Sequence, residues 1–143
     1  MRMMVPIKIG GANMKRDMDL IRKILFYIEE NYVAGGSYIS VDIEGYTEGE
    51  IYEHCMLAYQ GGLISEPLQT GTFDGKSCMV GNLTNEGFDL LENIRQDTFW
   101  NKTKKVATEK GLPLIVSTIK TISTAIITAA AEGVANSIIK NGI

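Results

Sequence analysis

The 143 residues include 14 Lys plus Arg against 17 Asp plus Glu, 45% apolar residues, one His and two Cys. A chain of this length buries about two-thirds of the surface its unfolded form exposes, so one domain folds without disulfides or a structural metal. Two Cys and one His cannot complete an ordinary four-ligand zinc site, and no nucleophile motif, metal-spaced acid cluster or dinucleotide fingerprint is present.

Residues 1–13 have no helical or alternating pattern, and two readings of them stand. They are a flexible arm, or they are translated leader ahead of a start at Met14, since Ile9 to Asn13 can be encoded with a GGAGG ribosome-binding sequence. From Lys15 to Asn31, Met18, Ile21, Ile24, Leu25 and Ile28 recur at three and four, with Leu20 widening the stripe. This predicts an amphipathic helix, with Asp17 and Asp19 suited to the positive end of its dipole. Gly35 and Gly36 stop it, and Ser37 to Ile43 alternates as a short half-buried strand. Thr47, with Glu50 at the capping-box position, opens a helix to about Gln60 that buries Ile51, Cys55 and Ala58 and ends at Gly61 and Gly62.

Leu63–Leu68 and Cys78–Leu83 flank a Gly-rich interval containing Asp74 and Gly75 and predict a β-hairpin with a long tip. Thr84 caps the next helix, which carries Phe88, Leu91, Glu92 and Arg95 and is expected to run, with a bend near Thr98, to Gly111. Beyond Pro113 the composition shifts to Ile, Thr, Ser and Ala, with only Lys120, Glu132 and Lys140 charged. The uncharged run between Lys120 and Glu132 is too short to cross a bilayer, so a helix packing on another helix is expected and no membrane span. Ile115, Ile119, Ile122 and Ile126 form a stripe at spacings of four and three. Ile at both core positions of a heptad favours trimers or tetramers, which predicts a homo-oligomer.

Charge is uneven along the chain. Residues 14–110 hold 10 positive and 16 negative groups, and no Lys or Arg occurs between Lys23 and Lys76. Glu29, Glu30, Asp42, Glu44, Glu48, Glu50, Glu53, Glu66 and Asp74 lie in that interval, which therefore repels a phosphate backbone. Lys102, Lys104, Lys105 and Lys110, with Lys15, Arg16, Arg22 and Lys23, are the one candidate nucleic-acid surface. Phe99 and Trp100 beside it are expected to anchor the helix bend against the core rather than to stack on bases.

Other motifs carry simpler explanations. Gly71 to Ser77 superficially suggests a phosphate-binding loop, but Thr70 stands where the first Gly is needed and a strand follows instead of a helix. His54 lies one turn from Ile51 and Ala58, as a packed, hydrogen-bonded residue would, with no partner triad in view. Cys55 and Cys78 read as separately packed small residues in a reducing cytoplasm, in preference to a redox pair.

The order helix, strand, helix, hairpin, helix resembles a winged-helix domain. His54, Cys55, Leu57, Ala58, Gly61, Gly62, Leu63 and Ile64 fall where winged-helix repressors carry a His, apolar residues, a Gly and a pair leading into the first wing strand. The runs MKRDMDLIRKIL from Met14, YISVDIEGY from Tyr38 and LTNEGFDLLENIRQDTFWNKTK from Leu83 closely resemble a bacterial and phage family, domain of unknown function 2513. That resemblance implies a winged-helix-like fold and an association with bacterial genomes and prophages, and it supplies no activity. Two departures stand out: only about four residues separate the first strand from the cap at Thr47, and the helix that would read DNA presents Glu53, Met56 and Tyr59, with Glu48 and Glu50 nearby.

The expectation is thus an α+β winged-helix-like domain over residues 14–110, with an apolar self-association helix over 111–143. The leading function is a cytoplasmic, non-enzymatic module that binds a protein partner through Glu48, Glu50, Glu53, Met56 and Tyr59 and the hairpin. The alternative is a DNA-binding transcriptional regulator contacting nucleic acid through the lysines outside that helix. Neither reading calls for a catalytic residue, metal or cofactor.

Overall fold

The computed structural model describes residues 14–72 and 75–141; the predicted arm or leader at 1–13 and part of the hairpin tip lie outside them. The element order is α1 (Met18–Asn31), β1 (Ile39–Ser40), α2 (Glu48–Gln60), β2 (Leu68–Thr72), β3 (Gly75–Val80), α3 (Asn85–Ile94), α4 (Asp97–Glu109) and α5 (Val116–Lys140). This is the expected mixed α+β arrangement of helix, strand, helix, hairpin and helix, with an added apolar C-terminal helix.

The α1 stripe becomes the centre of the core. Leu20, Ile21, Ile24, Leu25 and Ile28 are all sealed from solvent because three-and-four spacing puts them on one side of the helix. The Asp17 side chain caps the helix by accepting from the Asp19 and Leu20 N–H groups at 2.9 and 3.2 Å. Helices α2 and α3 pack on this helix, and a three-stranded antiparallel sheet of order β1-β3-β2 packs on α2 through β3.

The predicted first strand shortens. Only Ile39 and Ser40 enter the ladder, opposite Val80 and Met79, with one further bond from the Val41 N–H to the Cys78 carbonyl at 3.0 Å. The chain must then leave the sheet, through Gly45 at φ 91°, to reach the start of α2. There the predicted capping box forms: the Glu50 N–H donates to Thr47 Oγ1 and the Thr47 N–H to Glu50 Oε1, at 3.1 and 3.0 Å. At its other end α2 closes with paired reverse bonds, Gly62 N–H to Tyr59 and Leu63 N–H to Ala58, both 2.9 Å. Gly62 at φ 79° supplies the left-handed residue that such an ending requires.

The hairpin sits further out than predicted. Its paired arms are Leu68–Thr72 and Gly75–Val80, with Leu68 opposite Met79, whereas Ile64 makes only an isolated bridge to Leu83. Pro67 explains the shift, since it has no N–H to give and holds the preceding residue out of a regular ladder. Gly71, Lys76 and Ser77 therefore belong to antiparallel strands, which is not the backbone of a phosphate-binding loop.

One helix was expected from Thr84 to Gly111 with a bend near Thr98; the structure breaks it earlier, at Arg95 and the extended Gln96, into α3 and α4. Arg22 makes that break affordable. Its Nε–H donates to the Ile94 carbonyl at 2.8 Å, and its terminal nitrogen donates to the Arg95 carbonyl at 2.7 Å and to the Asp97 carboxylate at 2.9 Å. One guanidinium thus satisfies the end of α3 and pins the first turn of α4. At the other end of α3, a Cβ on Gly87 would meet the Leu63 carbonyl oxygen at 2.0 Å, so only glycine permits this approach.

After the turn at Gly111, where φ is 67°, α5 folds back on α3 and α4. Ile119, Ile122 and Ser123 are buried there, while every residue from Thr128 to Lys140 is exposed. The predicted self-association stripe is corrected in part: Ile119 and Ile122 are used by the chain's own core, because a short connection makes α5 the antiparallel neighbour of α4. Ile115 and Ile126 remain half-buried.

Candidate interaction site

The α2 surface carries the residues predicted to meet a protein partner, and its burial sorts them. Ile51, His54, Cys55 and Ala58 face inward, which leaves Glu53 exposed, Met56 half-buried and Tyr59 at 37% exposure on the outside. Glu48 is exposed at the first turn, and Asp42 and Glu44 extend the acidic surface along the connection from β1. Glu50 is corrected to a structural role, since its carboxylate accepts the Thr47 N–H in the capping box. The outward face therefore presents carboxylates around an aromatic and a thioether.

His54 secures this helix to the N-terminus of α1. Its Nε2 accepts the Asp17 N–H at 2.9 Å, and the other ring nitrogen lies 2.8 Å from the Glu50 carbonyl. Facing one donor and one acceptor, the ring is neutral with its proton on Nδ1, donating to Glu50. Both nitrogens are thus occupied by backbone groups. Tyr46 adds a second tie through its hydroxyl to Asp17 Oδ2 at 3.3 Å, and burial followed by the Asp17 charge pushes its phenol upward.

Cys55 of α2 and Cys78 of β3 are both free and buried in the core. The neighbouring Cys78 and burial push the Cys55 thiol well above the ordinary thiol range, which makes it a poor nucleophile. Among the described residues, no group of three or more His, Cys, Asp or Glu is arranged to hold a metal ion.

The lysines of α4 do not form one surface. Lys104 pairs with Asp19 at 2.9 Å and lies over the Trp100 ring at 5.2 Å. Trp100 is buried and donates its indole N–H to the same Asp19 oxygen at 2.7 Å, which makes it an anchor of α4, as its position beside the bend suggested. Burial alone would raise the Asp19 carboxyl, but hydrogen bonds from Lys104 and Trp100 and the charges of Lys104 and Arg22 outweigh it and hold the group below the usual range. Lys105 lies 3.9 Å from Glu109, and Lys102 and Lys110 border a groove between α4 and α5. Lys104 is thus withdrawn from the predicted nucleic-acid set, and the other three are divided between two sides of the helix.

Sequence reasoning did not single out Arg22 or Asp19 as joints of the fold. The available signal was a lone Arg between Ile21 and Ile24, flanking the core stripe, where an aliphatic stem packs and a planar head can reach carbonyls. Arg22 does both, stacking over Phe26 at 5.0 Å as it bonds the break.

Residues 15–113 match the family described as hypothetical protein DUF2513. The chain belongs to the DUF2513 family. It is also 35% identical over 114 residues to an uncharacterized protein of Haemophilus influenzae, covering 80% of this chain and 96% of the relative. No solved structure matches it. The DUF2513 match takes in α1 to α4, including Arg22, His54, Gly87 and Trp100, and stops before α5 begins at Val116.

Folding through Glu132 to Lys140 also gives α5 more length than the predicted uncharged run. Among the described residues it is the one helix long and apolar enough, by length and composition alone, to cross a membrane.

Proposed function

We propose that this DUF2513 protein is a non-enzymatic interaction module of a bacterium or its phages. It contacts a protein partner through Glu48, Glu53, Met56 and Tyr59 on α2, together with the hairpin, and self-associates through α5. The observation that carries the reading is the chemistry of α2. This helix takes the place of the nucleic-acid reader in a winged helix, yet its outward side chains are carboxylates, a thioether and a phenol. A phosphate backbone is repelled by that face, while a basic or aromatic protein surface complements it.

A tagged full-length chain tests this by capture from nuclease-treated host lysate, beside the variants Glu53→Lys and Tyr59→Ala. The expected result is a protein retained by the parent and lost from both variants. Capture that vanishes with nuclease treatment, with tight, steeply salt-dependent duplex binding in anisotropy, overturns it. Those results support the second reading, a DNA-binding regulator. The exposed lysines Lys102, Lys105 and Lys110, lying outside α2, favour that alternative; Lys102→Glu and Lys105→Glu then abolish the binding.

A further inference from the structure

The first turns of α5 enclose a cavity of about 470 Å³ with α1 and the end of α2, a size that suits a small organic molecule. Its deeper lining is aliphatic: Ile21 is sealed from solvent, and Leu57, Ile115 and Val116 are half-buried. Its outer lining is polar and cationic. Arg16, just ahead of α1, is exposed there, Lys120 of α5 is half-buried, and Gln60, Ser117 and Thr121 add an amide and two hydroxyls. No Asp or Glu is among the described residues that line it, in a chain whose net charge is -3.

We propose that this cavity binds a small carboxylic acid with an aliphatic body. The carboxylate sits between Arg16 and Lys120, and the hydrocarbon lies on Ile21, Leu57 and Val116. An aliphatic lining gives nothing to a bare inorganic anion, and a plain hydrocarbon leaves both cations unanswered; a molecule carrying both parts complements the whole surface. The site lies apart from the partner face on α2 and goes beyond that reading.

The cations have capacity to spare. Arg16 makes no ion pair among the described residues. Lys120 has one carboxylate partner, Glu86 Oε2 at 3.0 Å, and an ammonium with three N–H groups can serve a second acceptor.

The backbone around the cavity supports the same charge. α5 opens at Ile115 without a side-chain cap, and helix geometry leaves the N–H groups of Val116 and Ser117 without an acceptor, so the positive end of the helix adds to the two side chains. The opposing end of α2 is already closed: the Leu57, Ala58 and Tyr59 carbonyls accept from the Gly61, Leu63 and Gly62 N–H groups, each at 2.9 Å. Gly61 also sets the wall, since a Cβ there would stand 3.0 Å from Val116 Cγ1 and push α5 outward.

The cavity lies on a seam. Arg16, Ile21 and Leu57 fall within the stretch that matches the family, whereas Ile115 to Thr121 follow it. Each side supplies one cation, so a bound carboxylate bridges the domain and the added helix and stabilises the docked start of α5.

Titration of the full chain with sodium octanoate, followed by amide chemical shifts, tests the site. The expected result is saturable shifts at Gln60, Ser117 and Lys120 with a Kd on the order of 0.1–1 mM. Arg16→Gln or Lys120→Gln is expected to weaken binding about fivefold or more. Glu86→Gln breaks the same ion pair as Lys120→Gln but keeps the cation, and should bind at least as tightly as the parent. 1-Octanol, without the charge, and acetate, without the body, should each bind about fivefold or more weakly than octanoate. No saturable shift up to about 10 mM octanoate, or full affinity in both charge variants, overturns the site. Equal loss in Glu86→Gln and Lys120→Gln reduces Lys120 to a structural ion pair and overturns its role. Octanol matching octanoate overturns the carboxylate, and acetate matching octanoate overturns the aliphatic body.

Discussion

Helices α1 and α5 are both rich in isoleucine, and the fold treats them in opposite ways. In α1 the apolar residues share one side and the charges the other, and Leu20, Ile21, Ile24, Leu25 and Ile28 all disappear into the core. In α5 apolar and small residues go round the whole helix, and only Ile119, Ile122 and Ser123 are buried. Burial follows the angular pattern of apolar residues more closely than their number. A one-sided stripe is satisfied by one core, whereas an all-round apolar helix with a single docked end leaves its other end wanting a second partner.

This contrast breaks most visibly under substitution. Leu25→Ala in α1 is expected to cost about 2–5 kcal/mol in chemical denaturation, because a sealed side chain leaves a cavity that its neighbours fill only in part. Ile139→Ala, at the exposed end of α5, is expected to stay within about 0.5 kcal/mol. Equal losses at the two sites would mean that the end of α5 belongs to the same cooperative core.

A smaller effect separates polar joints from packing. His54→Leu keeps an apolar filling but strands the Asp17 N–H and the Glu50 carbonyl, so a loss of about 1–3 kcal/mol is expected. His54→Asn, which can still offer an acceptor and a donor, should recover part of it. A leucine variant as stable as the parent would show that the ring contributes only volume.

The smallest effect is electrostatic and confined to the α1 side. Asp19 and Glu29 both have folded-state carboxyls below their ordinary values. Burial opposes the shift at Asp19 but is outweighed by Lys104 and Trp100, and the Arg95 hydrogen bond leads at Glu29. A carboxyl whose pKa is lower when folded contributes stability that is present above the unfolded value and lost as the pH falls through the folded one. Stability should therefore hold steady near neutrality and decline once acid reaches the carboxylate range. Asp19→Asn should flatten that decline, whereas Glu132→Gln on α5 should leave it unchanged in the monomer. An identical acid profile for Asp19→Asn would remove the Lys104–Asp19–Trp100 cluster from the stability of the fold.

The local elements were legible in the sequence wherever the cause was local. The α1 stripe, the Thr47–Glu50 capping box and the glycine ending of α2 each depend on residues within a few positions of one another, and each formed as read. The hairpin shifted outward because Pro67 acts on the ladder, which spacing of apolar residues does not register. The candidate site was legible in composition, since the acidic run without a Lys or Arg places carboxylates on α2 whatever its neighbours. Which of them remain free was not, because Glu50 is taken by its own helix cap.

What the sequence determined by itself was the order of helix, strand, helix, hairpin and helix and the sign of charge each carries, which follow from propensity and periodicity along one chain, whereas the division of the helix after the hairpin into α3 and α4 did not. Only the tertiary structure decided where residues distant in sequence meet. Arg22 reaches the break between α3 and α4, Cys55 meets Cys78, and Lys104 is drawn away to Asp19. It also buried Ile119 and Ile122 and left α5 exposed from Thr128 onward, because packing against α3 and α4 ends where those helices end and the chain continues past them.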